Sequence, residues 1–273
     1  MSFTYDDLPY EVHCVVMSYI PPPHISEVAS VCKYWNDAVG SLTAWIMRLK
    51  HCNVYAEEDI LQYLSTPEKL KQYYRVCTGN MLSNVNMDEG KEDFSGRRES
   101  DKPNFRGWSE IAGDWALERH IGADPYPSEA GSGFNNPVAS YMVCGRSQKL
   151  HLSSIFPDHK VLLENGFQFN IVWHVWLAPR YDCKSKYYAY LYRQGLPIEK
   201  KSNRLSDIDL ARVEIPAGTK WVKHSRTVNL TSDNDNAVWT YAEEGSDGQF
   251  WSGHYGVKIF NPTIRVQVVP GQI

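Results

Sequence analysis

The segment Gln249-Phe250-Trp251-Ser252-Gly253-His254-Tyr255-Gly256 gathers the residue types that sugar recognition uses. Aromatic faces stack on the apolar side of a sugar ring, and polar groups meet its hydroxyls in fixed directions. Gly248, Gly253 and Gly256 would give such a loop its conformational reach. The same composition also suits ordinary packing at the end of a β-sandwich, so the residues alone leave both readings open.

Catalytic chemistry finds less support. The nine histidines fall into no acid–base or nucleophile motif. No Ser/His/Asp order, phosphate-binding glycine loop or dinucleotide fingerprint occurs. His174 lies on the even, partly polar face of an alternating segment beside Trp173 and Trp176, where it reads as a structural histidine. The six cysteines, at 14, 32, 52, 77, 144 and 183, include no C-x-x-C pair and no histidine at metal-ligand spacing. They read as free, mostly buried thiols. The expectation is a non-enzyme with no cofactor and no metal.

Charge and composition narrow the partners. A net charge of −4 gives no electrostatic reason to propose nucleic acid or an anionic membrane. Residues 1–20 lack the basic start of an export signal, carrying Asp6, Asp7 and Glu11 instead, and no apolar run reaches membrane-spanning length. A reducing cytoplasmic setting is expected, without membrane insertion.

The elements that must position these residues divide the chain. Residues 1 to about 80 carry helical periodicity, whereas residues 104–273 alternate, are punctuated by Gly and Pro, and hold seven of the nine tryptophans. Between them the polar stretch 82–103 reads as a linker, and residues 123–136 as a loop. Val12, Val15, Val16, Tyr19 and Ile20 form one stripe of a first helix, stopped by Pro21-Pro22-Pro23. One second helix is expected through Ile25, Val28, Cys32, Trp35 and Val39, with Gly40 ending it. A third carries Leu42, Trp45, Ile46 and Leu49. Ile60, Leu61 and Leu64 then precede the Thr66-Pro67 start signal of a helix bearing Leu70, Tyr73, Tyr74 and Cys77.

In the second half every odd position from Phe167 to Leu177 is apolar, which predicts a strand with a buried odd face. Across a polar turn it is expected to form a hairpin with Lys186–Arg193. Further strands are predicted at Ser140–Val143, Leu150–Leu152, Ala211–Ile215, Trp221–Val228, Ala237–Ala242 and Thr263–Val269. Short strands with no helical periods between them predict an antiparallel β-sandwich and so an α+β, multi-domain chain.

Three helices in some 40 residues are too small to complete a core alone, so leftover apolar residues should serve a partner. Their order is Leu8-Pro9-Tyr10-Glu11-Val12, Ile20-Pro21, Val31-Cys32-Lys33-Tyr34-Trp35 and Trp45. Over residues 5–50 this resembles the F-box. The resemblance implies docking on the Skp-type adaptor of a cullin-RING (SCF-type) ubiquitin ligase, with Leu8, Pro9, Val12, Ile20 and Trp35 as contacts.

Residues 104–270 resemble the F-box-associated domain, a jelly-roll-like sandwich. The resemblance is carried by Gly107-Trp108, Asp114-Trp115, residues 140–152, the 173–187 segment and the run from Phe250 to Val257 followed by Asn261. Three parts are implied: an F-box at 1–50, a helical arm and linker at 51–103, and the β domain at 104–273. Together they imply a substrate-receptor subunit whose β domain holds the target. In sugar-recognising members of the family that target carries a high-mannose N-glycan, and Tyr141, Asp182, Phe250, Trp251 and Ser252 match the family's site positions. Phe250 and Ser252 depart from the family's tyrosine and lysine: Phe250 keeps a ring but loses the hydroxyl, and Ser252 replaces a long cationic donor with a short one. A receptor for a non-glycan protein surface, and a lectin-like module outside a ligase, stay open.

Overall fold

The structure is a computed structural model that describes residues 9–21, 24–83, 106–113, 115–119, 135–140, 142–151, 159–193, 208–230, 238–247 and 256–271. Helices come first: α1 Tyr10–Ser18, α2 Ile25–Ala29, α3 Lys33–Gly40, α4 Leu42–His51, α5 Glu58–Leu61 and α6 Pro67–Thr78. Ten strands follow among the described residues, with a short helix, α7 His159–Glu164, leading into the fifth. They are β1 Ser109–Ala112, β2 Trp115–Arg119, β3 Asn135–Ala139, β4 Cys144–His151, β5 Phe167–Ala178, β6 Ser185–Arg193, β7 Ile208–Ile215, β8 Val222–Leu230, β9 Val238–Ser246 and β10 Lys258–Pro270.

Two five-stranded antiparallel sheets, ordered β1-β4-β9-β6-β7 and β2-β3-β10-β5-β8, face each other. The expected odd face of β5 is the core: Phe167, Phe169, Ile171, Trp173, Val175 and Leu177 are all buried. At about 1.5–3 kcal/mol for each large side chain buried, that one strand face contributes a large share of the driving force. The even face is not wholly polar, because Trp176 is buried there against Phe260 and Trp221.

The expected β5–β6 hairpin is not formed. β5 pairs with β10 and β8, while β6 pairs with β7 and β9 in the other sheet. The polar turn at 179–184 therefore crosses between layers. Tyr187, Ala189 and Leu191 face β5 across the core instead of lying beside it.

Three other expectations change. The second helix is two, α2 and α3, broken at residues 30–32. Ser30 Oγ donates to Glu27 O, and Cys32 Sγ accepts from Trp35 N, so local side chains satisfy the backbone at the break. Ser140, Met142 and Val143 lie in a connection rather than a strand, and β4 begins at Cys144. Strands β1, β2 and β3 and helix α7 carried too few periodic residues to be predicted; Leu152 and Ala237 fall outside the described residues.

Helix α6 starts as its sequence dictates, with Thr66 Oγ1 accepting from Lys69 N and Pro67 in the first turn. Its face of Leu70, Tyr73, Val76 and Cys77 is buried in the same core as the sandwich. The reason lies in β10. β3 meets β10 only at Lys258, so beyond Thr263 β10 has a strand neighbour on one side only. Helix α6 and residues 79–83 run along that open edge, with Met81 N donating to Ile264 O at 2.7 Å. An unpaired strand edge is thereby covered by the arm.

Candidate functional site: a helical face and a loop end

Helix α1 is built with two apolar sides. Cys14 and Met17 are buried with Ala38, Val39 and Ala44 in a small core of their own. Arg48, itself buried, holds this core together: Nη2 donates to Met17 O at 2.6 Å and Nη1 to Val39 O at 3.1 Å. A guanidinium bonded to the closing carbonyls of α1 and α3 also suits their negative helix ends. Burial pulls the Arg48 pKa down from its ordinary value.

Four residues of the apolar stripe, Val12, Val15, Val16 and Tyr19, point away from this core. Val12 and Val15 are exposed, as are Val16 at 43% and Tyr19 at 67% of their surface, with Val31 and Tyr34 exposed beyond them. Of the other predicted contact residues, Pro9 caps α1 and is exposed, while Ile20 and Trp35 are partly buried against the small core. Leu8 lies outside the described residues. The closing Trp45 is buried in the larger core, edge-on to Tyr74 of α6, and so ties the helices to the arm.

The predicted sugar-site segments all leave the same end of the sandwich. Lys258, where β10 begins, is level with Ala178 and Val138, and Ser246, near the end of β9, is level with Lys186. The ends of β3, β5 and β9 and the starts of β4, β6 and β10 therefore share one rim. Ala139 N donates to Val257 O and Gly256 N to Ala139 O, clamping two of them together. A Cβ at Gly256 would sit 2.6 Å from Ala139 O, so only glycine permits this approach.

Asp182 stands on that rim, with Oδ1 3.0 Å from Arg180 Nε, both side chains about one-third exposed. Beneath it Cys183 is buried, its thiol pushed up first by burial and then by Asp247 and Asp182. Tyr181, with the Arg180 guanidinium 5.4 Å from its ring centre, is 76% exposed, and Met142 and Val143 are each 53% exposed. Arg180, Tyr181, Met142, Val143 and Asp247 escape a sequence reading because nothing periodic marks a loop. Tyr141, Phe250, Trp251 and Ser252 lie outside the described residues.

The helical module sits at the opposite end. Tyr55 and Tyr63 pack on Phe167, the first residue of β5, and Tyr63 OH donates to Asn165 Oδ1. Twelve residues of β5 separate that end from the rim, about 40 Å of extended strand. Among the described residues no cluster of three or more His, Cys, Asp or Glu could hold a metal ion, and no helix is long and apolar enough to cross a membrane.

Residues 5–47 match the F-box-like family. The chain is 25% identical to F-box only protein 6 of Rattus norvegicus, over 96% of this chain and 86% of that one. It is 24% identical to F-box only protein 27 of Mus musculus, over 96% and 90% of the two chains. With F-box only protein 44 of Homo sapiens the identity is 23%, over 96% of each. One solved structure, the CBM22-1 xylan-binding domain from Paenibacillus barcinonensis Xyn10C, overlaps at a TM-score of 0.34 with 10% identity, over 62% of this chain and 89% of that one, too little to carry an argument. The chain has an F-box-like domain at its N-terminus, and its similarity to the F-box only proteins extends along nearly all of its length.

Proposed function

We propose that this chain is the substrate-receptor subunit of a cullin-RING ubiquitin ligase, docking on a Skp-type adaptor through α1–α4 and holding its target at the sandwich rim. The outward apolar side of α1 carries the first half of this reading. Val12, Val15, Val16 and Tyr19 are exposed although the other side of the same helix is fully packed. A contiguous apolar face of this kind marks a protein partner. The ligase chemistry would belong to other subunits.

A pull-down with purified adaptor tests it. The wild-type chain is retained, and Val16→Glu/Tyr19→Glu is lost. Both side chains are exposed, so the variant keeps its fold and its far-ultraviolet circular dichroism. A wild-type chain that fails to bind adaptor at micromolar concentration overturns the proposal.

For the target, two readings rest on different observations. N-glycan core binding is supported by Trp251, Tyr141 and Asp182 at family site positions, with Asp182 on the rim. Recognition of a protein surface is supported by the exposed Tyr181, Met142 and Val143 on the same rim. Titrating the full chain with chitobiose separates them. A tryptophan-fluorescence change abolished by Trp251→Ala supports the glycan, and an unchanged signal leaves the protein surface.

A further inference from the structure

Strand β8 is an edge of its sheet, with β5 on one side and no strand on the other among the described residues. Natural edges are blunted by short strands, bulges, prolines or charges, because a free row of N–H and C=O groups templates pairing. β8 has few of these devices. It pairs with β5 through nine consecutive residues without a register shift, and its sequence, Val222 to Leu230, contains no proline and no glycine. The corresponding edge of the other sheet differs: β7 carries a register shift against β6 and charges of both signs, Asp209, Arg212 and Glu214.

What β8 does carry is charge of one sign. Lys223 and Arg226 are exposed, and the strand has no Asp or Glu, although acidic residues outnumber Lys and Arg along the chain, 32 to 28. Its two neighbours in line, β5 and β10, contain no acidic residue either. Among the described residues neither Lys223 nor Arg226 is ion-paired; Lys223 lies 5.7 Å from the centre of the Trp176 ring. The two cations are three residues apart, so they project to opposite faces of the strand.

From this geometry we infer that the open edge of β8 accepts an extended acidic segment of a partner protein as an added strand. Main-chain hydrogen bonds along the edge supply the pairing, and carboxylates at alternate faces of the incoming strand meet Lys223 and Arg226. A second copy of this chain is a poor occupant, since two β8 edges would bring like charges together. A sugar is equally poorly served, because Trp176 and Phe260 beside the strand are buried and leave little ring to stack on. The α1 face proposed for the adaptor is separate from this edge, and β8 adjoins the rim only at its Val222 end, where Val222 pairs with Leu177, so the inference does not depend on the receptor reading.

The test uses the full chain at about physiological salt, where screening acts within roughly 8 Å. The probe is a fluorescent octapeptide of Glu-Glu-Val-Val repeated, which puts carboxylates on both faces of an extended strand, and its Lys-Lys-Val-Val counterpart is the control. The acidic peptide binds and the basic one does not. Lys223→Glu/Arg226→Glu weakens the acidic peptide about tenfold and gains the basic one. Lys50→Glu, exposed on α4, changes neither. Hydrogen exchange of the wild-type chain gives a readout free of any variant's folding: β8 amides become protected when the acidic peptide is added. Absence of binding, undiminished affinity in the reversed variant, or protection that bypasses β8 overturns the inference. Self-association that disappears in the reversed variant would assign the edge to a second copy instead and overturns it too.

Discussion

The carboxamide of Asn80 occupies the backbone irregularity just before Ile264. Ile264 N donates to Asn80 Oδ1 at 2.9 Å, and Asn80 Nδ2 donates to Pro262 O at 2.8 Å. The same Oδ1 accepts from Leu82 N at 3.1 Å. β10 loses register with β5 between Phe260 and Thr263, where Asn261 takes a φ of 47°. One side chain thus satisfies the backbone at that break and fixes the end of the helical arm on the sandwich. Asn80→Ala strands the N–H of the buried Ile264, and a loss of about 1–3 kcal/mol is expected in urea unfolding. Asn80→Asp keeps the acceptor and loses only the donor, so it falls between the two.

Arg146 and Glu243, directly paired on the neighbouring strands β4 and β9 of one sheet, form a wholly buried ion pair. Tyr187 and Tyr241 hydroxyls each donate to Glu243 Oε2 at 2.6 Å, and the Arg146 guanidinium lies 4.2 Å from the centre of the Trp108 ring. Removing one partner leaves an uncompensated buried charge. Arg146→Met and Glu243→Leu are each expected to lose about 3–5 kcal/mol, and Arg146→Met/Glu243→Leu less than the sum of these two single changes. Equilibrium denaturation of the four proteins closes this cycle.

Burial first, then Lys223 and Arg265, pull the His174 pKa down from 6.5 to about 4. Above pH 6.5 the imidazole is neutral folded and unfolded, and its contribution to stability is fully present. As the pH falls toward about 4 the unfolded chain takes up a proton that the folded chain refuses, so stability declines across that window. His174→Gln should flatten this part of the melting-temperature profile. An unchanged slope would assign it to other groups.

Thiol reactivity should divide the six cysteines. Cys32 and Cys52 are exposed, whereas Cys14, Cys77, Cys144 and Cys183 are buried. Burial pushes the Cys77 thiol up to about 12, far from the thiolate that alkylation needs. Brief iodoacetamide treatment of the native chain should add two labels by intact mass, and denaturant should release all six.

The sequence by itself determined where helices and strands carry their apolar faces wherever a period ran long enough. The odd face of β5 and the capped start of α6 were legible because period and capping are local properties of the chain. So was the order of motifs that resembles an F-box followed by its associated domain. Tertiary structure decided what those faces meet. The apolar stripe of α1 could as well have been core as surface, because an amphipathic pattern reports apolar area and not the partner that covers it. Packing of Cys14, Met17 and Arg48 on the other side turned that stripe outward. Likewise a polar turn between two alternating strands serves a hairpin or a crossing between layers equally well. Only the competing pairings of β5 with β10 and of β6 with β9, which join residues far apart in the chain, chose the second.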